Sequence, residues 1–380
     1  MQCFVSCATV GRARLGANCR QPSLHRLHCS QHGGGTRRPE NVPGDWFVTS
    51  GCIDCDVCRW MAPSVFDRLN EQSAVKHQPA SRAEELRALQ AAASCPVGTI
   101  RTERPPSKEL SLEARQSFPE PIPLGEDARN GTRVYHMGYH SHKSFGATAY
   151  LVLPGGEAWR NSAFLMDSPR FFRPLADQTE RLLRTENRQL RYMVLSHVDD
   201  VADHDQWAER FGVPRIIHGD DIGYYGEDGL GGVEMKLQGT GPWALLPDRL
   251  EPLKEDAGAP VDVKLVHVPG HTPGCITAVV DRYAAFTGDH IAYSNTRKAF
   301  GAFPGVCWYD WNQVIDSIRG LAREEFVWVF PGHSRRYKFD SVPAMREGME
   351  QAAQRMDSDA YWAMVPGGAR RRRKKEVRAR

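Results

Sequence analysis

A chain of 380 residues is long enough for two domains, and its composition, 41% hydrophobic and 25% charged, is that of a globular protein with a packed core. No run approaches the roughly 18 apolar residues of a membrane-spanning helix, since even Val263 to Val280 is broken by Lys264, His267, Pro269 and His271. The net charge of +3 sits in the ends: residues 1–39 hold six arginines and no acid, Arg370 to Arg380 holds eight basic residues against Glu376, and residues 40–369 carry −10, so the body lacks the bulk charge of a nucleic-acid binder.

Residues 1–38 are Arg-bearing, free of Asp and Glu, and rich in Ser, Cys and Gly, the composition of an organelle transit peptide. A chloroplast is the expected destination, with a mitochondrion as the alternative. A secretory signal fits less well, because the apolar start is interrupted by Cys3, Ser6 and Cys7 and no charge precedes it. Of the ten cysteines, Cys3, Cys7, Cys19 and Cys29 fall in this segment, and only Cys275 and Cys307 fall in the long C-terminal part, which excludes a disulfide scaffold.

The other four cysteines carry a metal-site spacing. Cys52, Cys55 and Cys58 stand at intervals of three, and Cys95-Pro96 follows after 36 intervening residues. Three close thiolates on a loop wrap one face of a cubane and a remote one closes it, the pattern of one [4Fe-4S] cluster. A structural zinc site made by the same four residues is the alternative, although zinc sites usually present two separated pairs. With no second C-x2-C-x2-C run, residues 44–104 resemble a monocluster ferredoxin. Trp46 to Val48 reads as a first strand, and Ala83 to Ala93, rich in Ala, Leu, Glu and Arg, as the helix that delivers Cys95. Asp54, Asp56 and Asp67 are expected to add negative potential near the ligands. The module serves as an electron carrier, a redox sensor or a structural support.

Residues 105–128 contain Pro105, Pro106, Pro119, Pro121 and Pro123 and read as a stiff linker. Beyond them, strand-like runs (Thr148 to Leu153, Phe164 to Met166, Tyr192 to Leu195, Arg215 to His218, Val263 to Val268, Ile276 to Val280, Ala284 to Thr287, Phe326 to Phe330) alternate with helical stretches at Leu175 to Thr185 and Asp205 to Phe211. That alternation is α/β. His136, His140 and His142 have irregular spacing and read as a solvated loop. His218 and His267 read as core or supporting residues, Cys275 and Cys307 as buried thiols, and residues 341–380 as a helix followed by a basic tail.

Four segments place His and Asp just after strands: Ser196-His197-Val198-Asp199-Asp200-Val201-Ala202-Asp203-His204, then Pro269-Gly270-His271-Thr272-Pro273-Gly274, then Thr287-Gly288-Asp289-His290, and last Pro331-Gly332-His333. Strand-end loops are where a rigid scaffold holds metal ligands. In order and spacing, residues 129–340 resemble the metallo-β-lactamase superfamily. The resemblance implies an αββα sandwich preceded by the small α+β ferredoxin-like module. His271 is then a ligand, Asp289 a bridging carboxylate, His333 a second-site ligand, and Asp203-His204 the end of the family's first motif. That motif is usually H-x-H-x-D-H, whereas here His197 precedes Asp203 by six residues, and its second His position falls on Asp199 counted from the front or Val201 counted from the back. His197 and Asp199 are the expected ligands, and an oxygen donor at Asp199 leans from zinc toward iron or manganese.

The resemblance implies one or two divalent metals, zinc as the expected ion with iron or manganese as alternatives, and a water whose pKa falls to about 7. Asp203 would orient that water and take its proton. The expected reaction is hydrolysis of a small ester or thioester, with a redox partner for the module. The alternatives are an iron-dependent oxidoreductase fed by the module, or a cluster-bearing binding protein with a degenerate site. The Glu-containing motif of flavodiiron proteins is absent, and the segment from Asp289 to His333 is too short for a nuclease-type insertion.

Overall fold

The computed structural model describes residues 34–125, 128, 131–225, 230, 232–253, 261–358 and 361. Most of the transit-peptide expectation and the basic run from Arg370 lie outside them.

Strand β1 (Trp46–Val48) leads into the cysteine loop, where Asp54 and Asp56 take positive φ values of 60° and 73° that turn the chain into the short helix α1 (Val57–Met61). Asp tolerates this region better than most residues with a Cβ. A hairpin follows, β2 (Phe66–Leu69) with β3 (Gln72–Val75). Helix α2 (Arg82–Ser94) is capped by Ser81, whose hydroxyl accepts from Glu84 N, and ends on Cys95. Strand β4 (Ile100–Thr102) returns antiparallel to β1.

Two sequence expectations are corrected here. Arg37 and Arg38, grouped by composition with the leading segment, belong to the folded module, which therefore begins before residue 44. Arg38 is buried and donates to Ser73 O (2.6 Å) and Leu69 O (2.8 Å), and Arg37 bridges to Thr49. A guanidinium that satisfies two carbonyls of the hairpin is structural, although composition alone counts it with the leader's arginines. The proline-rich linker, 105–128, is folded over most of its length. Ser107 caps helix α3 (Lys108–Gln116), which buries Leu110 and Ala114, and β5 (Glu120–Pro121) joins a sheet as its edge strand. Pro105 and Pro106 precede a helix cap and Pro121 lies on a sheet edge, places where a missing N–H costs little.

The larger domain is two seven-stranded sheets face to face. The first adds to β5 the strands β6 (Arg133–His136), β7 (Tyr150–Leu153), β8 (Ser162–Met166), β9 (Gln189–Val194), β10 (Arg215–His218) and β11 (Met235–Leu237), with helices α4 (Arg173–Thr185), α5 (His204–Phe211) and α6 (Gly219–Tyr225) in its connections. Its order is β11-β10-β9-β8-β7-β6-β5, parallel from β8 to β11. The second is β13-β12-β14-β15-β16-β19-β20, built from β12 (Trp243–Leu245), β13 (Leu250–Pro252), β14 (Val263–His267), β15 (Ile276–Val280), β16 (Ala284–Gly288), β19 (Trp328–Pro331) and β20 (Tyr337–Lys338). A small hairpin, β17 (Ala292–Ser294) with β18 (Ala299–Gly301), and helices α7 (Trp311–Leu321) and α8 (Val342–Asp357) complete the chain.

Alternation along the strands sorts the core into layers, because successive side chains point to opposite faces. Val152, Phe164, Val194 and Ile216 of the first sheet meet Leu265, Ala278, Phe286 and Phe330 of the second. Their neighbours Leu151, Leu165, Met193 and Ile217 turn outward onto Leu175, Leu183 and Trp207 of α4 and α5, while Val279, Ala285 and Val329 turn onto Val314, Ile318, Met345 and Met349 of α7 and α8. This is the αββα sandwich. The cysteine module shares the first outer layer, since Met61, Val65 and Phe66 belong to the same buried cluster as Tyr135, Met137 and Leu175. It is packed onto the sandwich over a continuous apolar surface.

Candidate metal centre and cluster site

Cys52, Cys55, Cys58 and Cys95 are unbridged and line one small cavity together with Val48, Ile53 and Val97. Burial pushes the Cys58 thiol up to about 12 and Cys55 well above the thiol range, and the nearness of the other sulfurs raises both further. Four thiolates in so apolar a cavity require strong compensating positive charge, which an iron-sulfur cluster supplies. The expected negative potential from Asp54 and Asp56 is corrected. Arg59 Nη1 pairs with Asp54 Oδ1 at 2.6 Å, Arg59 Nε with Asp56 Oδ1 at 2.6 Å, Arg68 with Asp54 at 2.7 Å and Arg335 with Asp56 at 3.3 Å.

In the sandwich, β14, β16 and β19 run in one direction, so the loops after them gather at one edge, and β9 of the facing sheet ends there too. His197 Nε2 lies 3.9 Å from Asp199 Oδ2 and 4.0 Å from Asp289 Oδ2, and His271 Nε2 lies 3.3 Å and 3.8 Å from the same two oxygens. Ligands at zinc-type distances of about 2.0–2.1 Å stand about 3.3 Å apart in a tetrahedron, so this set needs only small closure. On the other side of Asp289, His333 Nε2 lies 3.7 Å from Asp289 Oδ2 and 3.8 Å from Asp200 Oδ1.

Several atoms here are buried with no hydrogen-bond partner: His197 Nε2, Asp289 Oδ1 and both oxygens of Asp200. Buried polar atoms without partners cost about 1–3 kcal/mol each, so a converging group of them fits a cation. Burial lowers His197 to about 4, which keeps the imidazole neutral as ligation requires. Burial opposes charge on Asp199, yet His271 and His197 beside it hold its carboxyl below the usual range. Burial and the charges of Asp289 and Asp167 raise Asp200 well above that range. Ser196 Oγ meets His197 Nδ1 at 2.9 Å and leaves Nε2 facing the centre. Close backbone approach is built in: a Cβ on Gly270 would lie 2.4 Å from Val314 N, and one on Gly332 would lie 2.5 Å from Asp200 Oδ2.

Residues 154–333 match the family model described as the metallo-beta-lactamase superfamily, and residues 48–102 match the 4Fe-4S single cluster domain of ferredoxin I. The chain carries a metallo-β-lactamase superfamily domain behind a [4Fe-4S] ferredoxin-type domain. Among solved structures it is similar to the DIM-1 metallo-β-lactamase, with 15% identity, a TM-score of 0.43 and coverage of 61% of this chain and 99% of that one. It is also similar to ETHE1 from Myxococcus xanthus (16% identity, TM-score 0.39, 64% and 97% covered) and to an archaeal metallo-β-lactamase superfamily protein from Sulfolobus tokodaii (17%, 0.36, 61% and 91%). No curated protein sequence matches the chain.

Within the metallo-β-lactamase domain, His197, Asp199, His271, Asp289 and His333 come together as expected from the sequence, while Asp203 and His204 do not. Asp203 Oδ1 is paired with Lys143 Nζ at 2.5 Å and its Oδ2 accepts from Phe171 N at 2.8 Å, and His204 Nδ1 meets Arg215 Nη1 at 3.1 Å. A 3-10 turn over Val198–Asp200 takes up the two extra residues of the first motif and carries Asp203 and His204 to the start of α5. The role given to Asp203 as base is therefore withdrawn, and Asp200, absent from the sequence expectation, stands in the centre. Its only sequence signal was adjacency to Asp199.

Two supporting carboxylates had no signal. Buried Asp221 accepts from Val198 N (2.9 Å), Thr272 Oγ1 (3.1 Å) and Gly274 N (2.6 Å), tying the His197 and His271 loops together. Asp167 accepts from Ser196 N at 2.7 Å. His218 and His267 stack at 4.1 Å and donate to Gly239 O and Pro273 O, and with Asp220 they form a second cluster of potential ligand atoms. The solvated-loop reading holds for exposed His142 but not for His136 and His140, which are buried. His140 Nδ1 donates to Gly146 O (2.8 Å) and its Nε2 accepts from His136 Nε2 (2.9 Å), with Trp60 of the cluster domain edge-on to both rings.

One loop, residues 141–147, separates the two sites. Gly146, at φ 88°, lies so close that a Cβ there would stand 2.9 Å from Cys55 Cβ and 3.2 Å from its Sγ, and the neighbouring Phe145 ring is 6.3 Å from the His333 ring.

Proposed function

We propose that the chain is an iron-dependent oxidoreductase in which the ferredoxin-type domain serves the His/Asp centre with electrons drawn from a one-electron donor. The observation that carries this reading is the 141–147 loop, with Gly146 against Cys55 and Phe145 against His333. The donor set adds support. Asp199, Asp200 and Asp289 stand beside His197, His271 and His333, and so oxygen-rich a set suits iron or manganese more than zinc. When bound, the cluster would supply single electrons and the metal a redox-active Lewis acid.

The chain's own residues hold and orient that machinery. Cys52, Cys55, Cys58 and Cys95 would hold the cluster; His197, Asp199, His271 and Asp289 would hold one metal, with Asp200 and His333 available to a second. Ser196 fixes the His197 ring, and Trp308 Nε1 donates to Asp199 Oδ2 at 2.8 Å, which sets that carboxylate. A small-molecule substrate would approach the centre from its exposed side, beside His333 and Trp308. No helix among the described residues is long and apolar enough to cross a membrane. The arginine-bearing segment before Gly34 would direct the protein to an organelle, most simply a chloroplast. Hydrolysis of a small ester or thioester is the second reading, supported by the superfamily match.

Metal analysis and EPR on the anaerobically purified full chain separate the two. About four irons lost in Cys95→Ala, and further iron lost in His271→Ala, is the expected result. Zinc in the His271-dependent site, with thioester hydrolysis that disappears in His271→Ala, would overturn the redox reading.

A further inference from the structure

Beside the 141–147 loop runs a chain of hydrogen bonds that neither site uses. Gly146 O accepts from His140 Nδ1 (2.8 Å), so that nitrogen carries the ring's hydrogen and His140 Nε2 is a lone pair. The 2.9 Å contact between the two Nε2 atoms then takes its hydrogen from His136. His136 Nδ1 is left bare: it is buried, has no hydrogen-bond partner, and faces Glu120 Oε2 at 3.8 Å. A lone pair opposite a carboxylate is a place for a proton, since protonation turns a repulsion into an ion pair. The Glu120 side chain is 26% exposed and links this point to solvent.

The other end of the chain lies at the cluster ligands. Gly146 packs against Cys55, and Trp60, two residues beyond Cys58, lies edge-on to both imidazoles. The groups facing His136 keep it neutral at rest. Burial opposes a charge on it, and Arg87, paired with Glu120 at 2.5 Å, and Arg336, over the Trp60 ring at 4.8 Å, outnumber the one carboxylate. His140, and His333 beyond it, bring no negative charge. An imidazolium here requires one negative charge more, which one-electron reduction of the neighbouring cluster adds. We propose that the His136–His140 pair is a proton site coupled to the cluster: His136 Nδ1 takes up one proton as the cluster takes up one electron, and releases it when the electron leaves. The proton comes from solvent past Glu120, the bond formed is N–H at Nδ1, and the electron comes from a one-electron donor, so charge balances in both directions. The inference rests on the cluster domain, and not on whether the His/Asp centre is redox or hydrolytic.

The test is potentiometry of the full chain with dithionite as reductant and iron content verified, following the EPR signal of the reduced cluster between about pH 4 and 8. A full charge at this range, through an effective dielectric of about 20, changes proton affinity by roughly tenfold. For one electron that tenfold is about 59 mV. Reduction raises the His136 value from about 4, so the potential should fall as pH rises above 4 and level off beyond the reduced-state value. His136→Gln, which keeps an amide donor for His140 Nε2 and does not titrate, should flatten the profile. Glu120→Gln, which removes the charge that holds the proton, should shift the window toward acid. His142→Gln, exposed on the same loop, should leave the profile unchanged. A potential independent of pH in the natural protein, or the natural profile in His136→Gln with full iron content, would overturn the proposal. Should His136→Gln lose its iron, Glu120→Gln decides in its place: a shift toward acid supports the proton site and an unmoved window overturns it.

Discussion

Gly146 offers the sharpest test of how the two domains are joined. Replacing it with alanine places a methyl group 2.9 Å from Cys55 Cβ, 3.2 Å from its Sγ and 3.3 Å from Pro96 Cγ, at a backbone φ of 88°. Left-handed backbone costs a residue with a Cβ about 1–2 kcal/mol. Overpacking against a well-held neighbour adds about 1–3 kcal/mol. The strain of about 2–5 kcal/mol falls on the Cys55 ligand and on the loop that carries Phe145. Gly212→Ala is the control, since Gly212 at the end of α5 has φ 64° and nothing within 4 Å of its Cβ position, so only the backbone cost applies. We expect Gly146→Ala to lower cluster occupancy, read as iron content and visible absorbance, and to depress the apparent melting temperature several degrees more than Gly212→Ala. Equal melting shifts with full iron content in both variants would show that the domain contact at Cys55 is loose and would remove the basis for a short path between the sites.

His271→Ala should abolish metal binding at the sandwich edge while Asp203→Ala leaves the metal content intact, as measured by elemental analysis; metal loss from Asp203→Ala would restore the family's usual first-motif assignment. An N-terminal truncation beginning at Gly34 should fold and bind iron, whereas one beginning at Pro39 should be less stable by about 2–4 kcal/mol in urea, because it removes a buried guanidinium from two carbonyls. Burial lowers His136 to about 4, so its neutral form is the folded one. Its contribution is complete above the unfolded value near 6.5 and is lost as pH falls toward 4, about 2 kcal/mol between pH 6.5 and 5. The urea midpoint should therefore fall over that window in the natural protein and fall less in His136→Gln.

The cysteine ligands and three of the site segments were legible from the chain because their signals are local. Cys52, Cys55 and Cys58 share one loop, and His271, Asp289 and His333 each follow a strand with a glycine that lets the backbone approach closely. The first motif was not legible to its end. Whether Asp200 or Asp203 enters the centre depends on how a 3-10 turn seats against Asp221 and Asp289, residues distant in sequence, and on Lys143, which draws Asp203 away. Arg38 and the segment 105–128 were misread because composition averages over residues and does not record which carbonyl an arginine meets or which edge a proline borders. His136 and His140 owe part of their burial to the cluster domain, since its Trp60 lies edge-on to both rings, a contact between residues distant in sequence. The sequence by itself determined which atoms were available as ligands; packing of the two sheets, and of the cysteine module on the sandwich, decided which atoms face each other, because burial and distance are properties of the whole fold.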